Sequence, residues 1–308
     1  MRAQNDCYRI AAQTDMAIRT VGIISKPKKE EISGVVPALL DWLRPRGIAI
    51  VYDQETAASI SSGDQGLPRA EIPPRVDLIV VLGGDGTLLA TARLLNERHV
   101  PILAVNLGSL GFLTEITLDE MYSNLEAVLA GRHALDRRSM LQVEVRRGNE
   151  TISSYRALND AVLNKGALAR ILDFDLTIDG QFVSTFKADG LILSTPTGST
   201  AYSMAAGGPI VCPSVCAILV TPICPHTLTN RPLVVPDTSE LVVIVKPASA
   251  GKPGKELVFL TVDGQVGLPI SGEERVVVSK SSSGIELVRP ASRNYFEVLR
   301  NKLKWGER

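Results

Sequence analysis

Apolar positions in the first 135 residues alternate between two periods. Arg19–Ser25 reads as a strand, and Ile32, Val35, Val36, Leu39, Leu40 and Leu43 follow at helical spacing. Pro37 lies inside that run and predicts a kink or an interrupted helix, because proline has no amide proton. Ile48–Tyr52 is strand-like, and a Gly/Ser/Pro-rich connection runs from Ser59 to Pro74. Asp77–Leu82 is nearly all apolar, as expected of a parallel strand covered on both faces. A helix is predicted from near Gly86 to about Arg98, and Pro101–Val105 is a further strand. Thr117-Leu-Asp-Glu120 has the form of a capping box, with Leu118, Met121, Leu125, Val128 and Leu129 on one face and Gly131 as the stop. This order predicts an α/β domain with a mostly parallel sheet over residues 16–135.

The pattern then changes. Leu141, Val143 and Val145 alternate with polar residues, as do Leu172, Phe174, Leu176 and Ile178, and Asp179-Gly180 supplies a tight hairpin turn. Leu241–Val245, Leu257–Val262, Val276–Val278 and Ile285–Val288 are further strand-like runs. Residues 136–290 are therefore expected to form an antiparallel, β-sandwich-like domain. Phe296, Leu299 and Leu303 share one helical face ending at Trp305, so residues 291–308 are expected to be a helix packing back on the first domain. Residues 1–15 are polar and mixed, and read as a disordered tail or an upstream start.

Composition excludes more than it identifies. Thirty-three basic side chains balance 33 acidic ones, so overall charge gives no support for binding nucleic acid or an anionic membrane. No apolar stretch approaches the ~20 residues that span a bilayer. Cys7, Cys212, Cys216 and Cys224 form neither a dense disulfide framework nor a zinc-ligand pattern. They read as small buried hydrophobes kept reduced, and the expected compartment is the cytoplasm.

Gly83-Gly84-Asp85-Gly86-Thr87 stands between a buried strand and a helix. At average residue frequencies this pentapeptide would arise by chance in well under ~1 in 1,000 chains of this length. Its glycines would let backbone N–H groups approach phosphate oxygens, and the helix adds its positive end. A purely structural Gly-Asp-Gly turn is the alternative. Other nucleotide motifs fit worse: there is no G-x-x-x-x-G-K-[ST], Leu89 occupies the place of a third Rossmann glycine, and no H-R-D loop is present.

The pentapeptide is similar to the phosphate loop shared by NAD kinases, diacylglycerol and sphingosine kinases and, in variant form, 6-phosphofructokinases. Three further segments resemble the NAD kinase family in particular. Asn159-Asp160 looks like its asparagine–acid pair, and Ala188–Ser203 continuing to Pro209 resembles its longest signature. Thr221–Leu228 and Val262-Asp-Gly-Gln265 agree in order and spacing. The resemblance covers roughly residues 17 to 305. The residues themselves permit blander readings: an Asn-Asp cap on a turn, a surface turn at Pro196 and Gly198, a packed Tyr202, and a structural loop histidine at His226.

The resemblance implies an ATP-dependent kinase that phosphorylates the adenosine-ribose 2′-hydroxyl of NAD, with Mg²⁺ arriving on the ATP phosphates. It implies Asp85 as general base with Gly86 beside it at the acceptor, and Gly83, Gly84, Gly86 and Thr87 around the ATP phosphates. Asn159, Asp160, Asp189, Thr200, Ala201, Tyr202, Ser203, Met204 and Ala205 would contact NAD, with Arg170, Lys187 and Gln265 lining the same pocket. Many relatives carry Leu-Ser where this chain has Met204-Ala205, which removes one hydroxyl from that stretch. A carboxylate is a weak base for a sugar hydroxyl, so Asp85 would accept the proton late, as the O–P bond forms. Orienting the hydroxyl and binding Mg²⁺ are alternative roles for it. A homo-oligomer, dimer or tetramer, is expected. The rivals are a lipid kinase, whose Gly-Thr-Gly-Asn-Asp element is absent here, and a catalytically silent NAD-binding regulator.

Overall fold

A computed structural model describes residues 17–26, 30–60, 63–95, 97–108, 111–166, 172–227, 229–246, 258–270, 272, 274–290 and 294–306. The expected tail at 1–15 lies outside them. The described residues divide into two compact units, one running up to Arg137 and resuming at Ile285, the other comprising Arg138–Gly284.

The first unit is built around β1 (Thr20–Ser25), β2 (Ala49–Tyr52), β3 (Leu78–Leu82), β4 (Ile102–Asn106), the short β5 (Ile116–Thr117) and β6 (Ala134–Arg138). β1 pairs in parallel with β2 and β3, and β4 pairs in parallel with β3 and β5. Both β3 and β4 are buried along their whole length, which explains why their sequences are nearly unbroken apolar runs. Four helices accompany this sheet: α1 (Ile32–Leu43), α2 (Gln54–Ser59), α3 (Asp85–Leu94) and α4 (Met121–Leu129). Ile32, Val36, Leu39, Leu40 and Leu43 of α1 form its buried face, and the helix runs through Pro37 without the expected break. One missing amide bond is outweighed by that continuous apolar face. The expected capping box at Thr117 forms only in part. Glu120 accepts from the Thr117 amide at 3.0 Å, but the Thr117 hydroxyl donates to the same carboxylate instead of accepting from the helix. The short helix α2 was not foreseen; Asp53 caps it by accepting from Thr56 N at 2.9 Å.

The second unit contains two six-stranded antiparallel sheets. The strands are β7 (Leu141–Arg147), β8 (Glu150–Ala157), β9 (Asp160–Lys165), β10 (Leu172–Ile178), β11 (Gln181–Ala188), β12 (Gly190–Ser194), β13 (Ala217–Ile223), β14 (Leu233–Pro236), β15 (Leu241–Lys246), β16 (Val258–Val262), β17 (Val266–Ile270) and β18 (Glu274–Lys280). One sheet has the order β11-β10-β15-β18-β7-β8 and the other β14-β13-β12-β9-β16-β17. Their facing side chains make one core, with Val143, Phe174, Val243 and Val278 from the first and Leu163, Leu191, Val220 and Leu260 from the second. This is the sandwich the alternating pattern predicts. Asp179 and Gly180 both have positive φ (49° and 76°), the geometry of the tight hairpin turn expected between β10 and β11. β12 and β13 are buried on both faces, because α5 (Tyr202–Ala205) and the residues after it lie over the outer side: Ala206 packs on Val162, Ile192 and Ile223.

Two expectations require correction. Ile285–Arg289 forms β19, which pairs in parallel with β4 through Leu287 and Ile102, so this strand belongs to the first unit and not to the sandwich. Phe296, expected on the packed face of the last helix, is 56% exposed in α6 (Tyr295–Leu303), as is Trp305 at 53%, whereas Val298 and Leu299 are buried and the helix lies in the first unit. The reciprocal Asn294–Glu297 capping box starts the helix so that Tyr295, Val298, Leu299, Lys302 and Leu303 share its covered side.

Candidate active site

The glycine loop lies at the carboxyl end of β3, the edge where parallel sheets ordinarily bind ligands. Its residues divide the work unevenly. Gly83 gives its amide proton to Val105 O at 2.9 Å, so that donor serves the sheet and not a phosphate. Gly83 is required for packing instead, since a Cβ there would come within 2.5 Å of the Thr87 hydroxyl. Thr87 N donates to Gly84 O at 2.9 Å and is likewise engaged. A Cβ on Gly84 would meet nothing within 4 Å. Among the described residues, the amides of Gly84 and Asp85 take up no hydrogen bond, and both point from the first turn of α3. The start of α3 therefore offers two open donors and the positive end of a helix, chemistry suited to an anion. Lys26, at the end of β1, donates its amide to Leu82 O and lies against Gly83, where an added Cβ would be 3.2 Å from its own.

Asp85 is the first residue of α3, and its side chain reaches the segment that follows β4. Oδ2 accepts from Phe112 N at 3.0 Å. Oδ1 accepts from Leu113 N at 3.2 Å, Thr114 N at 3.0 Å and the Thr114 hydroxyl at 2.9 Å. Gly111 permits this closeness, as a Cβ there would stand 2.0 Å from Asp85 Oδ1. The sequence reading singled out Asp85 but not residues 111–114, which carry no functional-group signature beyond one threonine.

The nominated residues of the second unit fall into two groups. The first gathers where β9 begins and where β12 and β16 end. Thr195 N donates to Asn159 O at 2.9 Å, and the Thr195 hydroxyl to Leu158 O at 2.6 Å. A Cβ on Gly198 would lie 2.2 Å from Asn159 O, so the Thr197–Thr200 turn can sit there only with glycine. Asp263 binds the same bend with its carboxylate, accepting from the amides of Leu158 (3.1 Å), Asn159 (2.8 Å) and Asp160 (3.2 Å). Asp263 and Gly264 occupy positive φ (50° and 64°), and the turn closes with Gln265 N donating to Val262 O at 3.0 Å. Gln265 is exposed at its tip. Asp160 is buried beside Asp263, and burial first, repulsion from Asp263 second, push its carboxyl up to about 7.

The second group lies at the opposite end of the same strands. Gly190 is paired with Asn164 and Ile223, whereas Ser194 is paired with Asp160. Four residue steps separate these ends, roughly 13 Å at the usual strand rise. Asp189 forms an ion pair with Lys165 at 2.6 Å, with His226 Nε2 at 3.9 Å. Lys187 is exposed, and its carbonyl accepts from His226 N at 2.8 Å. Between the two groups runs the Thr200–Ala205 stretch. Ser203 exchanges a hydrogen bond with Thr221 at 2.9 Å and is buried, so its hydroxyl anchors α5 to β13. Tyr202 is 41% exposed, Ala201 and Met204 are half-buried, and Ala205 is exposed. Arg170 lies outside the described residues. Cys212 and Cys224 are free thiols but are half-buried and exposed respectively, not the buried hydrophobes expected.

A glycine loop at the carboxyl edge of a parallel sheet, with an oriented carboxylate one residue on, is the equipment of a phosphotransferase that draws on a nucleotide. Comparison with known proteins narrows that class. Residues 21–133 match the family model of the ATP-NAD kinase N-terminal domain and residues 158–290 that of the ATP-NAD kinase C-terminal domain. The chain belongs to the ATP-NAD kinase family. It is 53% identical to the NAD kinase of Solibacter usitatus over 291 residues, spanning 94% of this chain and 99% of that one. Against the NAD kinase of Koribacter versatilis it is 49% identical over 292 residues, 94% and 100% of the two chains. Its fold is similar to yeast NADH kinase complexed with NADH, at a TM-score of 0.84 and 30% identity, covering 96% of this chain and 90% of the other. These relatives are dinucleotide kinases, and the lipid-kinase alternative finds no support among them.

Proposed function

We propose that this ATP-dependent NAD kinase assigns one substrate to each unit. The first would hold the ATP phosphates and the base, and the second would hold NAD. Amides of Gly84 and Asp85 and the start of α3 would bind the phosphates, with Gly83 and Thr87 shaping the loop and Gly86 beside the acceptor. Asn159, Asp160 and Gln265 would grip one end of the dinucleotide and Asp189 and Lys187 the other. Tyr202 and its neighbours from Thr200 to Ala205 would contact it along the way. An extended ligand suits two polar groups roughly 13 Å apart better than a compact one.

Transfer is in line and involves no phosphoenzyme. The 2′-oxygen of the adenosine ribose bonds to the γ-phosphorus as its proton passes to Asp85. The bond from that phosphorus to the β–γ bridging oxygen breaks, and ADP leaves with the electron pair. Mg²⁺ bound to the phosphates would neutralise the charge they carry. Among the described residues, no group of three or more His, Cys, Asp or Glu is gathered to hold a metal. We place the enzyme in the cytoplasm, where ATP and NAD are both available, and expect a homo-oligomer. Phe182, 64% exposed on the edge strand β11, supports self-association, and the solution mass checks it.

The observation that carries this reading is the fixed carboxylate of Asp85, on a residue whose own amide and that of Gly84 are open to a phosphate. The test is NADP formation from Mg-ATP and NAD by the purified protein, beside Asp85→Asn. That variant should keep NAD binding and lose ~10²–10⁴-fold in turnover. A near-normal kcat would remove Asp85 from the chemistry.

A further inference from the structure

Four hydrogen bonds to one carboxylate raise the question of which oxygen remains for a substrate. Oδ1 of Asp85 accepts from Leu113 N, Thr114 N and the Thr114 hydroxyl, whereas among the described residues Oδ2 accepts only from Phe112 N. A carboxylate oxygen has two lone pairs, so Oδ1 is filled and Oδ2 retains a free direction. The Thr114 hydroxyl also accepts from Asn106 Nδ2 at 3.0 Å. An amide nitrogen can only donate, so the single Thr114 proton is committed to Asp85 Oδ1. Asn106 is oriented in turn, because its own Oδ1 accepts from Gly108 N at 2.7 Å. Thr114 and Asn106 are both buried, which isolates this chain of bonds from water.

We propose that Thr114, held by Asn106, is a positioning residue that fills Oδ1 of Asp85 and so assigns Oδ2 to the acceptor hydroxyl. The inference rests on Asp85 being the base. Without the threonine hydroxyl, the carboxylate gains a rotational freedom that the three amides alone do not remove, and the proton-accepting oxygen is no longer fixed. Misplacement of a reacting group by about 1 Å can cost ~100-fold in rate. Neither Thr114 nor Asn106 touches substrate in this scheme, so affinity for NAD and ATP is unaffected.

The experiment compares Thr114→Val, Thr114→Ser, Asn106→Leu and Asp85→Asn in steady-state NADP formation, with melting temperatures measured alongside. Thr114→Val should lower kcat at least tenfold while both KM values stay within about twofold, and Thr114→Ser should restore most of the rate. Asn106→Leu should produce a partial version of the same loss. Unchanged kcat in Thr114→Val, or a loss that Thr114→Ser does not recover at wild-type melting temperature, overturns the inference. If Thr114→Val does not fold, the decision passes to Asn106→Leu and Thr114→Ser: normal kcat in the first, or wild-type-like folding with a kcat as low as that of Asp85→Asn in the second, overturns it. The underlying assignment fails separately, if Asp85→Asn itself turns over normally.

Discussion

The carboxylate of Asp263 accepts the backbone proton of Asn159 at 2.8 Å, across 104 positions of sequence. The same side chain binds the amides of Leu158 and Asp160, so a single residue sets the bend that presents the Asn159-Asp160 pair. Asp263→Ala leaves three amides without their acceptor, two of them at buried residues, and unsatisfied buried groups cost ~1–3 kcal/mol each. We expect a stability loss of about 2–4 kcal/mol in urea unfolding and a rise of at least tenfold in KM for NAD. Wild-type affinity for NAD would show that the bend forms without Asp263.

Asp160 makes stability depend on pH in an unusual direction. Its folded-state carboxyl is pushed up to about 7 from an ordinary value of 3.8, first by burial and then by Asp263. Between those limits the folded protein holds a proton that the unfolded chain has released. This contribution to stability therefore declines as pH rises from about 4 to about 7 and is level above, with a slope approaching ~1.4 kcal/mol per pH unit. Asp160→Asn should flatten that decline in urea melts taken at pH 5, 6 and 7. An unaltered slope would mean that Asp160 is not its source.

Two glycines should separate chemistry from binding. A methyl group on Gly111 would fall 2.0 Å from Asp85 Oδ1, and one on Gly198 would fall 2.2 Å from Asn159 O. Gly111→Ala displaces the Asp85 carboxylate, which we propose as the base, so kcat should drop ~100-fold with KM for NAD little changed. Gly198→Ala pushes on the Asn159 bend, which we propose holds NAD, so KM for NAD should rise tenfold or more. Kinetics showing the reverse pattern would contradict this assignment of roles.

Metal removal gives a fourth check. Excess EDTA should abolish NADP formation without changing the melting temperature, since on our proposal the metal arrives with the ATP phosphates and not as part of the fold. Mg²⁺ added back should restore the rate. A fall in melting temperature on chelation would reveal a structural metal.

Much of this protein is legible along the chain because the relevant forces act over a few residues. Burial on two faces makes β3 and β4 unbroken apolar runs, and exposure of one face makes β7 and β10 alternate. Asp179-Gly180 declares its own turn because few residue pairs tolerate two positive φ angles. The glycine loop is visible for the same reason, as a requirement for small residues before a helix. By contrast, the engagement of the Gly83 amide with Val105 and the filling of Asp85 Oδ1 depend on neighbours contributed by β4 and by the segment that follows it.

What the amino-acid order determined by itself was the two-part architecture, the glycine loop between a buried strand and a helix, and the family signature that names the reaction. Only the tertiary structure decided that β19 returns to the first sheet, that Asp263 binds the Asn159 bend, and that Asp189 and Asn159 stand at opposite ends of the β9–β12 pair. The physical reason is range. Hydrophobic period and turn chemistry are imposed by adjacent residues, whereas a carboxylate meeting an amide 104 positions away leaves no periodic trace in either segment.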